Sequence, residues 1–213
     1  MLRTALLSAM LAFAGYAAAA WLTHGFQVWT AEGARRLEVA LQPVPSPAVA
    51  IDGHGIAPQT LPQLFADGQS VTLVDFIYTR CQTVCLAMGS SFQQLQQALQ
   101  ERGGNVRLLS ISFDGQHDKP AVLQAYSEKL SADPAVWRFV RVQDPQETQR
   151  LLRDFQVVVV PNGRGDFEHN AALLVVDNKG RLVRIFDYAE QQLALDYAYH
   201  LAGAAAPSTS PSP

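Results

Sequence analysis

Cysteine is nearly absent from this chain: 213 residues contain two, Cys81 and Cys85. They stand so close together that a disulfide between them would close a tiny loop. Such a bridge constrains the unfolded chain little, so a purely structural staple is a poor explanation for the pair. Clusters of basic charge are missing too. The 16 Lys and Arg are scattered among 19 acids, for a formal net charge of −3, and nothing resembles the footprint of a nucleic-acid binder. No glycine-rich phosphate loop follows a strand pattern, and Gly163-Arg-Gly165 lacks the rest of a nucleotide fingerprint. A serine nucleophile elbow, a His-Glu-x-x-His helix and internal repeats are all lacking.

What is present concentrates around the two thiols. Val71 to Tyr78 is an apolar, β-branched run that predicts a buried strand. From Cys85 to Leu99 the pattern turns helical, with Leu86, Phe92, Leu95 and Leu99 on one flank and glutamines on the other. The dithiol therefore falls where a strand hands over to a helix N-terminus. Unpaired backbone N–H groups and the positive end of the helix dipole there favour thiolate over thiol. Redox exchange and soft-metal ligation both need that. The four-residue spacing puts both sulfurs on one face of a helical turn. Two thiolates select Cu(I) or Zn(II), and one imidazole from another element would complete a trigonal site suited to Cu(I).

The N-terminus sets the compartment. Ala5 to Leu22 carries no charge and follows the short basic start Met1-Leu2-Arg3. As a helix it would span about 27 Å, close to the roughly 30 Å of a hydrocarbon core, with Trp21 and Trp29 suited to the far interface. Ala17 to Ala20 offers a cleavage site for the rival signal-peptide reading, but the length of the run favours a retained anchor. Arg35 and Arg36 weigh mildly against this orientation, although Glu32 and Glu38 flank them. Either reading exports the rest of the chain, where a dithiol can oxidise.

The expected organisation is an anchor or signal segment over 1–22, a tether over 23–47, one domain over 48–202 and a disordered Ala/Pro/Ser-rich tail over 203–213. Pro43, Pro45 and Pro47 argue against regular structure in the tether. Within the domain, short elements are expected at Ala48 to Asp52 (strand) and Thr60 to Asp67 (helix). Strands follow at Asn105 to Phe113 and Trp137 to Val140. Helices are expected at Pro120 to Lys129, started by Asp118, and at Pro145 to Phe155, capped by Asp144. Val157 to Val160 reads as a buried strand end. Ala171 to Asp177 and Arg181 to Tyr188 form a hairpin around Asn178-Lys-Gly180, and Gln191 to Leu201 closes the chain with a helix. This order describes an α/β sandwich with a mixed sheet, and the dithiol after the first long strand narrows it to a thioredoxin-like fold.

Three blocks then carry a resemblance to the Sco/SenC family, the thioredoxin-fold copper proteins of cytochrome c oxidase assembly. They are Phe76-Ile-Tyr-Thr-Arg-Cys81-Gln-Thr-Val-Cys85, Ser112-Phe-Asp114-Gly-Gln-His-Asp118 and Phe167-Glu-His169-Asn170. Their order and spacing fit the family over residues 48–202. The resemblance implies copper held by Cys81, Cys85 and His169. It also implies cysteines that cycle between dithiol and disulfide, and service to the copper-centre subunit of cytochrome c oxidase. The implied location is the extracytoplasmic (periplasmic) side of the cell membrane, by a single N-terminal anchor or, without it, as a secreted protein. His117 is the rival third ligand, and Asp114 and Asp118 are candidates for supporting contacts. The family's prolines are replaced by Gln82, Leu86 and Gly115, and Asn170 stands where Ser or Thr is usual. The missing prolines sustain a second reading, an extracytoplasmic thiol–disulfide oxidoreductase without a metal. The first reading describes a copper chaperone rather than a turnover enzyme; the second describes an enzyme.

Overall fold

The computed structural model describes every residue except 1, 24, 27, 67–68, 82–83, 164–166 and 204–213, together with the side chains of all but 2 and 84–87 among the rest. In chain order the elements are α1 (Leu2–Leu22), α2 (Ala31–Leu41), β1 (Val44–Pro45), β2 (Ala50–Gly53), β3 (Ile56–Thr60) and α3 (Leu61–Phe65). Then come β4 (Val71–Ile77), α4 (Val84–Arg102), β5 (Val106–Ser112), α5 (Pro120–Lys129), β6 (Trp137–Val142) and α6 (Pro145–Asp154). The chain ends with β7 (Val159–Pro161), β8 (Phe167–His169), β9 (Ala172–Val176), β10 (Arg181–Asp187) and α7 (Gln191–Leu201).

The main sheet has eight strands in the order β1-β10-β9-β4-β5-β6-β2-β3. Its centre, β4-β5-β6, is parallel. β9 runs antiparallel to β4 on one side, and β2 antiparallel to β6 on the other. All seven residues of β4 are buried, as a central strand covered on both faces requires. Alternation along it divides the core. Val74 and Phe76 join a cluster with Phe65 of α3 and Leu151, Leu152 and Phe155 of α6 and its end. Val71, Leu73 and Ile77 join one with Phe92, Leu95 and Leu99 of α4 and Leu195 and Tyr199 of α7. The result is a helix–sheet–helix sandwich.

Local signals place several boundaries. Asp144 accepts from the N–H groups of Gln146 and Glu147 and Pro145 opens α6, as its sequence predicts. The expected start signal of α5 is different: Lys119 occupies the N-cap position ahead of Pro120, and Asp118 is engaged elsewhere. The segment between α1 and β2 is also more ordered than its prolines suggest. Here α2 lies against β10, with Val39 fully buried. Arg36 holds it by donating to the Ile185 carbonyl at 3.0 Å and pairing with Glu190, and Val44 and Pro45 pair with β10.

At the N-terminus, Arg3–Leu22 is long and apolar enough to cross a membrane, with none of its span buried against the rest of the chain. Its large apolar side chains, among them Leu11, Phe13 and Trp21, are exposed.

Candidate metal and dithiol site

β4 delivers its C-terminal end toward the site. Tyr78, the next residue, is fully buried and its ring packs on Phe113 (centroids 5.3 Å apart) and edge-on to Phe167 (5.2 Å). Cys81 follows after a tight turn, its N–H donating to the Tyr78 carbonyl at 3.2 Å. The Cys81 side chain is buried in the same apolar cluster as Tyr78 and Phe113. Cys85 lies in the first turn of the nineteen-residue α4, where the sequence places it. Its side chain, like those of Gln82 and Leu86, lies outside the described parts of the chain.

His169 arrives from the other direction. It ends β8, which pairs antiparallel with β7, Val159 opposite His169. The strand that follows, β9, is the direct antiparallel neighbour of β4. That adjacency brings the imidazole back to the end of the cysteine-bearing strand. The His169 ring stands edge-on to Phe113 (5.4 Å) and Tyr78 (6.4 Å). Tyr78 and Phe113 thus flank the His169 ring and belong to the same buried cluster as Cys81. The Tyr78 hydroxyl donates to the Phe167 carbonyl at 3.2 Å, which ties β8 to the cysteine strand. Asn170 fastens the other side: its Oδ1 accepts from the Val158 N–H at 2.8 Å and its own N–H donates to the Val158 carbonyl. Burial holds the His169 pKa below its ordinary value, opposed by a hydrogen bond to the Asn170 backbone. A half-buried imidazole of this kind is neutral at neutral pH and keeps a lone pair for ligation.

The loop between β5 and α5 grips the residues just before Cys81. Asp118 is fully buried. It accepts from the Thr79 N–H (3.0 Å), the Thr79 hydroxyl (2.6 Å) and the Ser112 hydroxyl (2.6 Å). Its remaining contact is His117 Nδ1 at 2.8 Å. Asp114 pairs with Arg80 at 2.6 Å. The sequence singled out both carboxylates, and the structure places them as clamps on Thr79 and Arg80. His117 sits among them: ligand atoms of Asp114, His117 and Asp118 lie within 4.8 Å of one another. Its ring contacts Asp118, whereas the His169 ring packs on Tyr78 and Phe113. Gly115 also finds its reason here. A Cβ at that position would meet the Val142 carbonyl oxygen at 1.9 Å, so the loop can pass β6 only with glycine.

Some expectations fall differently. Val157 is buried, but Val158 and Val160 are more than half exposed, because β7 leaves the main sheet to pair with β8 alone. Met88 is buried in the core. Tyr78, Phe113, Phe167 and Ser112 were not singled out as site residues. Only their place beside the two motifs could have signalled them, since aromatic residues in strands are usually core.

Fold and site together define a thioredoxin-like protein with a dithiol at a strand–helix junction and a histidine that stands just ahead of the strand neighbouring β4. Comparison with known proteins sharpens this. The SCO1/SenC family model matches residues 66–199, and the chain belongs to that family. A curated SCO1 protein homolog of Bacillus subtilis is 28% identical over 122 residues, 56% of this chain and 63% of that protein. The chain thus spans less than two thirds of that relative's length. Among solved structures, Bradyrhizobium japonicum ScoI with copper bound superposes with a TM-score of 0.60 at 23% identity, over 74% of this chain and 99% of that one. BsSco, described as a member of the Sco family of cytochrome c oxidase assembly proteins with a disulfide switch, gives 0.66 at 20% identity over 76% and 95%. These likenesses establish the thioredoxin-like fold.

Proposed function

We propose that this protein is a membrane-tethered copper-handling and thiol-redox protein that serves the dinuclear copper centre of cytochrome c oxidase. Cys81, Cys85 and His169 are its ligands, and α1 holds the domain on the extracytoplasmic side. The observation that supports the reading is that His169 packs on Tyr78 and Phe113, residues of the buried cluster that also holds Cys81. The donor chemistry fits: two thiolates and a neutral imidazole are a soft set suited to Cu(I), and the lowered His169 pKa favours that neutral form.

One site supports two tasks. The reduced pair can hold copper as cargo. The same pair can also reduce a disulfide of the recipient. A thiolate attacks one recipient sulfur, and the second cysteine then closes a Cys81–Cys85 bond and releases the recipient as a dithiol. Two electrons leave the protein and no thiolate remains for copper. The contacts of Asp118 with Thr79 and of Asp114 with Arg80 hold the residues that lead into Cys81.

Titration with Cu(I) tests the reading. Reduced protein should take up one equivalent and oxidised protein very little. Cys81→Ser should lose the site and His169→Ala should weaken it. Equal uptake by both redox forms would rule out the cysteines as ligands. Absent copper binding combined with disulfide reduction would instead favour the metal-free oxidoreductase, the reading that Gln82 in place of the family's proline supports.

A further inference from the structure

Arg35 lies in α2, the helix that follows α1, and its guanidinium is gripped from two sides. Its Nε donates to Glu32 Oε2 at 2.9 Å and its Nη2 to Glu32 Oε1. A planar fork held in this way is aimed. The remaining nitrogen, Nη1, donates to the backbone carbonyl of Gln156 at 2.7 Å, and the side chain is only 13% exposed. The neighbouring Arg36 has a different task. With the fully buried Val39 it fastens α2 to β10. Arg35 reaches instead the joint between α6 and β7.

That joint stops a helix. The Gln156 N–H donates to the Arg153 carbonyl at 3.0 Å, and the Val157 N–H to the Leu152 carbonyl at 2.7 Å. With the left-handed Gln156 backbone (φ 56°) this is a Schellman ending. Glycine is usual at that position, and a residue with a side chain stays there only under support. Beyond the joint, β7 and β8 pair only with each other among the described residues, and a two-stranded ribbon is marginal in water on its own. Val158 and Asn170 close its root. The Val158 N–H donates to Asn170 Oδ1 at 2.8 Å, and the Asn170 N–H donates to the Val158 carbonyl at 3.2 Å. The next pair along is Val159 and His169. β8 is tied to Tyr78 and the following β9 to β4, whereas β7 relies on the joint at Gln156. An unbroken run of contacts thus leads from Arg35 through the Gln156 carbonyl, Val158 and Asn170 to His169.

We propose that Arg35 is a positioning residue for His169, an inference that rests on the copper reading above. By holding the Gln156 carbonyl it fixes where β7 leaves α6. The Val158–Asn170 bridge passes that placement to the imidazole packed on Tyr78 and Phe113. The segment between α1 and the domain is then part of the site, and a chain cut at residue 48 would carry a looser third ligand.

Amide hydrogen exchange in the reduced, metal-free, full-length protein in detergent micelles reads the ribbon root directly. Arg35→Ala should speed exchange at Val158 and Asn170 about tenfold, with Leu73 and Val175 of the β4–β9 ladder unchanged. Competition with a Cu(I) chelator should show affinity lowered about tenfold by Arg35→Ala. The same substitution added to His169→Ala should cost nothing further, as a cycle between coupled residues requires. Arg35→Lys keeps one donor toward Gln156 and should fall between. A role in packing alone would lower affinity by the same factor with or without His169, and that result overturns the proposal. So does unchanged exchange at Val158 and Asn170. Should the alanine form fail to fold, Arg35→Lys carries both measurements, and wild-type values in either overturn the proposal. Copper affinity unmoved by His169→Ala on its own overturns the ligand reading and this proposal with it, whereas a ribbon root indifferent to Arg35 overturns this proposal alone.

Discussion

Thr79 gives both its backbone N–H and its hydroxyl to the carboxylate of Asp118, at 3.0 and 2.6 Å, two residues ahead of Cys81. The acceptor is fully buried and also takes the Ser112 hydroxyl. The loop after β5 thus fixes the exit of β4. Asp118→Ala would strand these buried donors, at a cost of roughly 1–3 kcal/mol for each left unsatisfied. Urea unfolding should show a net loss of about 3 kcal/mol. Copper affinity of the reduced protein should fall as well, because Thr79 no longer aims the cysteine loop. Asp118→Asn, which keeps one acceptor oxygen, should lie between. An alanine variant as stable as the wild type would show that the clamp carries no energy.

His169 and His117 are separable. His169→Ala removes the imidazole that stands on Phe113 and Tyr78, leaving two thiolates. Copper should bind about 100-fold more weakly, close to 2.7 kcal/mol, and the Cys81–Cys85 disulfide should still form. His117→Ala loses a 43% exposed ring bound to Asp118, and copper affinity should change by less than about threefold. Competition with a calibrated Cu(I) chelator measures both. The reverse ranking would assign the third ligand to His117.

Gly115→Ala tests the close approach to β6. The added carbon would sit 1.9 Å from the Val142 carbonyl oxygen, a contact that only backbone movement relieves. Arg141 donates to the Gly115 carbonyl at 2.6 Å and pairs with Asp52, so the loop has little room to retreat. A loss of about 2 kcal/mol or more in unfolding free energy is expected. Proline, which the resembling family uses at this position, should be no better tolerated, since it too carries a Cβ.

Much of this was legible because the signals are local. Pro120 and Pro145 mark helix starts, the Asp144 cap is next in sequence to its helix, and the apolar run of β4 admits only a buried strand. The approach of His169 to Tyr78 at the end of β4 follows from β9 adjoining β4, which a thioredoxin-like order predicts. What escaped depends on distant partners. α2 is polar and short, with prolines just beyond it, and it is held by Ile185 and Glu190 about 150 residues away. Asp118 reads as a helix cap because Pro120 is near, yet its partners Thr79 and Ser112 lie on other elements. β7 reads as buried from its valines, but it leaves the main sheet to carry the hairpin of His169.

Asp75, buried in the middle of β4, should leave a signature in the pH dependence of stability. Burial raises its pKa to about 7 in the folded protein against an ordinary 3.8, opposed by the hydroxyl of Ser110. A carboxyl whose pKa is raised by folding is protonated in the native state where the unfolded chain has already ionised. Its contribution to stability is therefore fully present below about pH 4 and is lost progressively as pH rises to 7. Above pH 7 the charged carboxylate is buried, and the accumulated penalty is about 4 kcal/mol on a scale of roughly 1.4 kcal/mol per pKa unit. Asp75→Asn cannot ionise. The stability of that variant relative to the wild type should therefore increase between pH 4 and 7 and level off above, whatever constant offset the new amide introduces. Urea midpoints at matched ionic strength, taken at half-unit intervals, give the slope directly. A difference that is flat across this window would mean that Asp75 holds the same charge in the folded and unfolded chain, and the burial of Ser110 and Trp137 around it would then need another explanation.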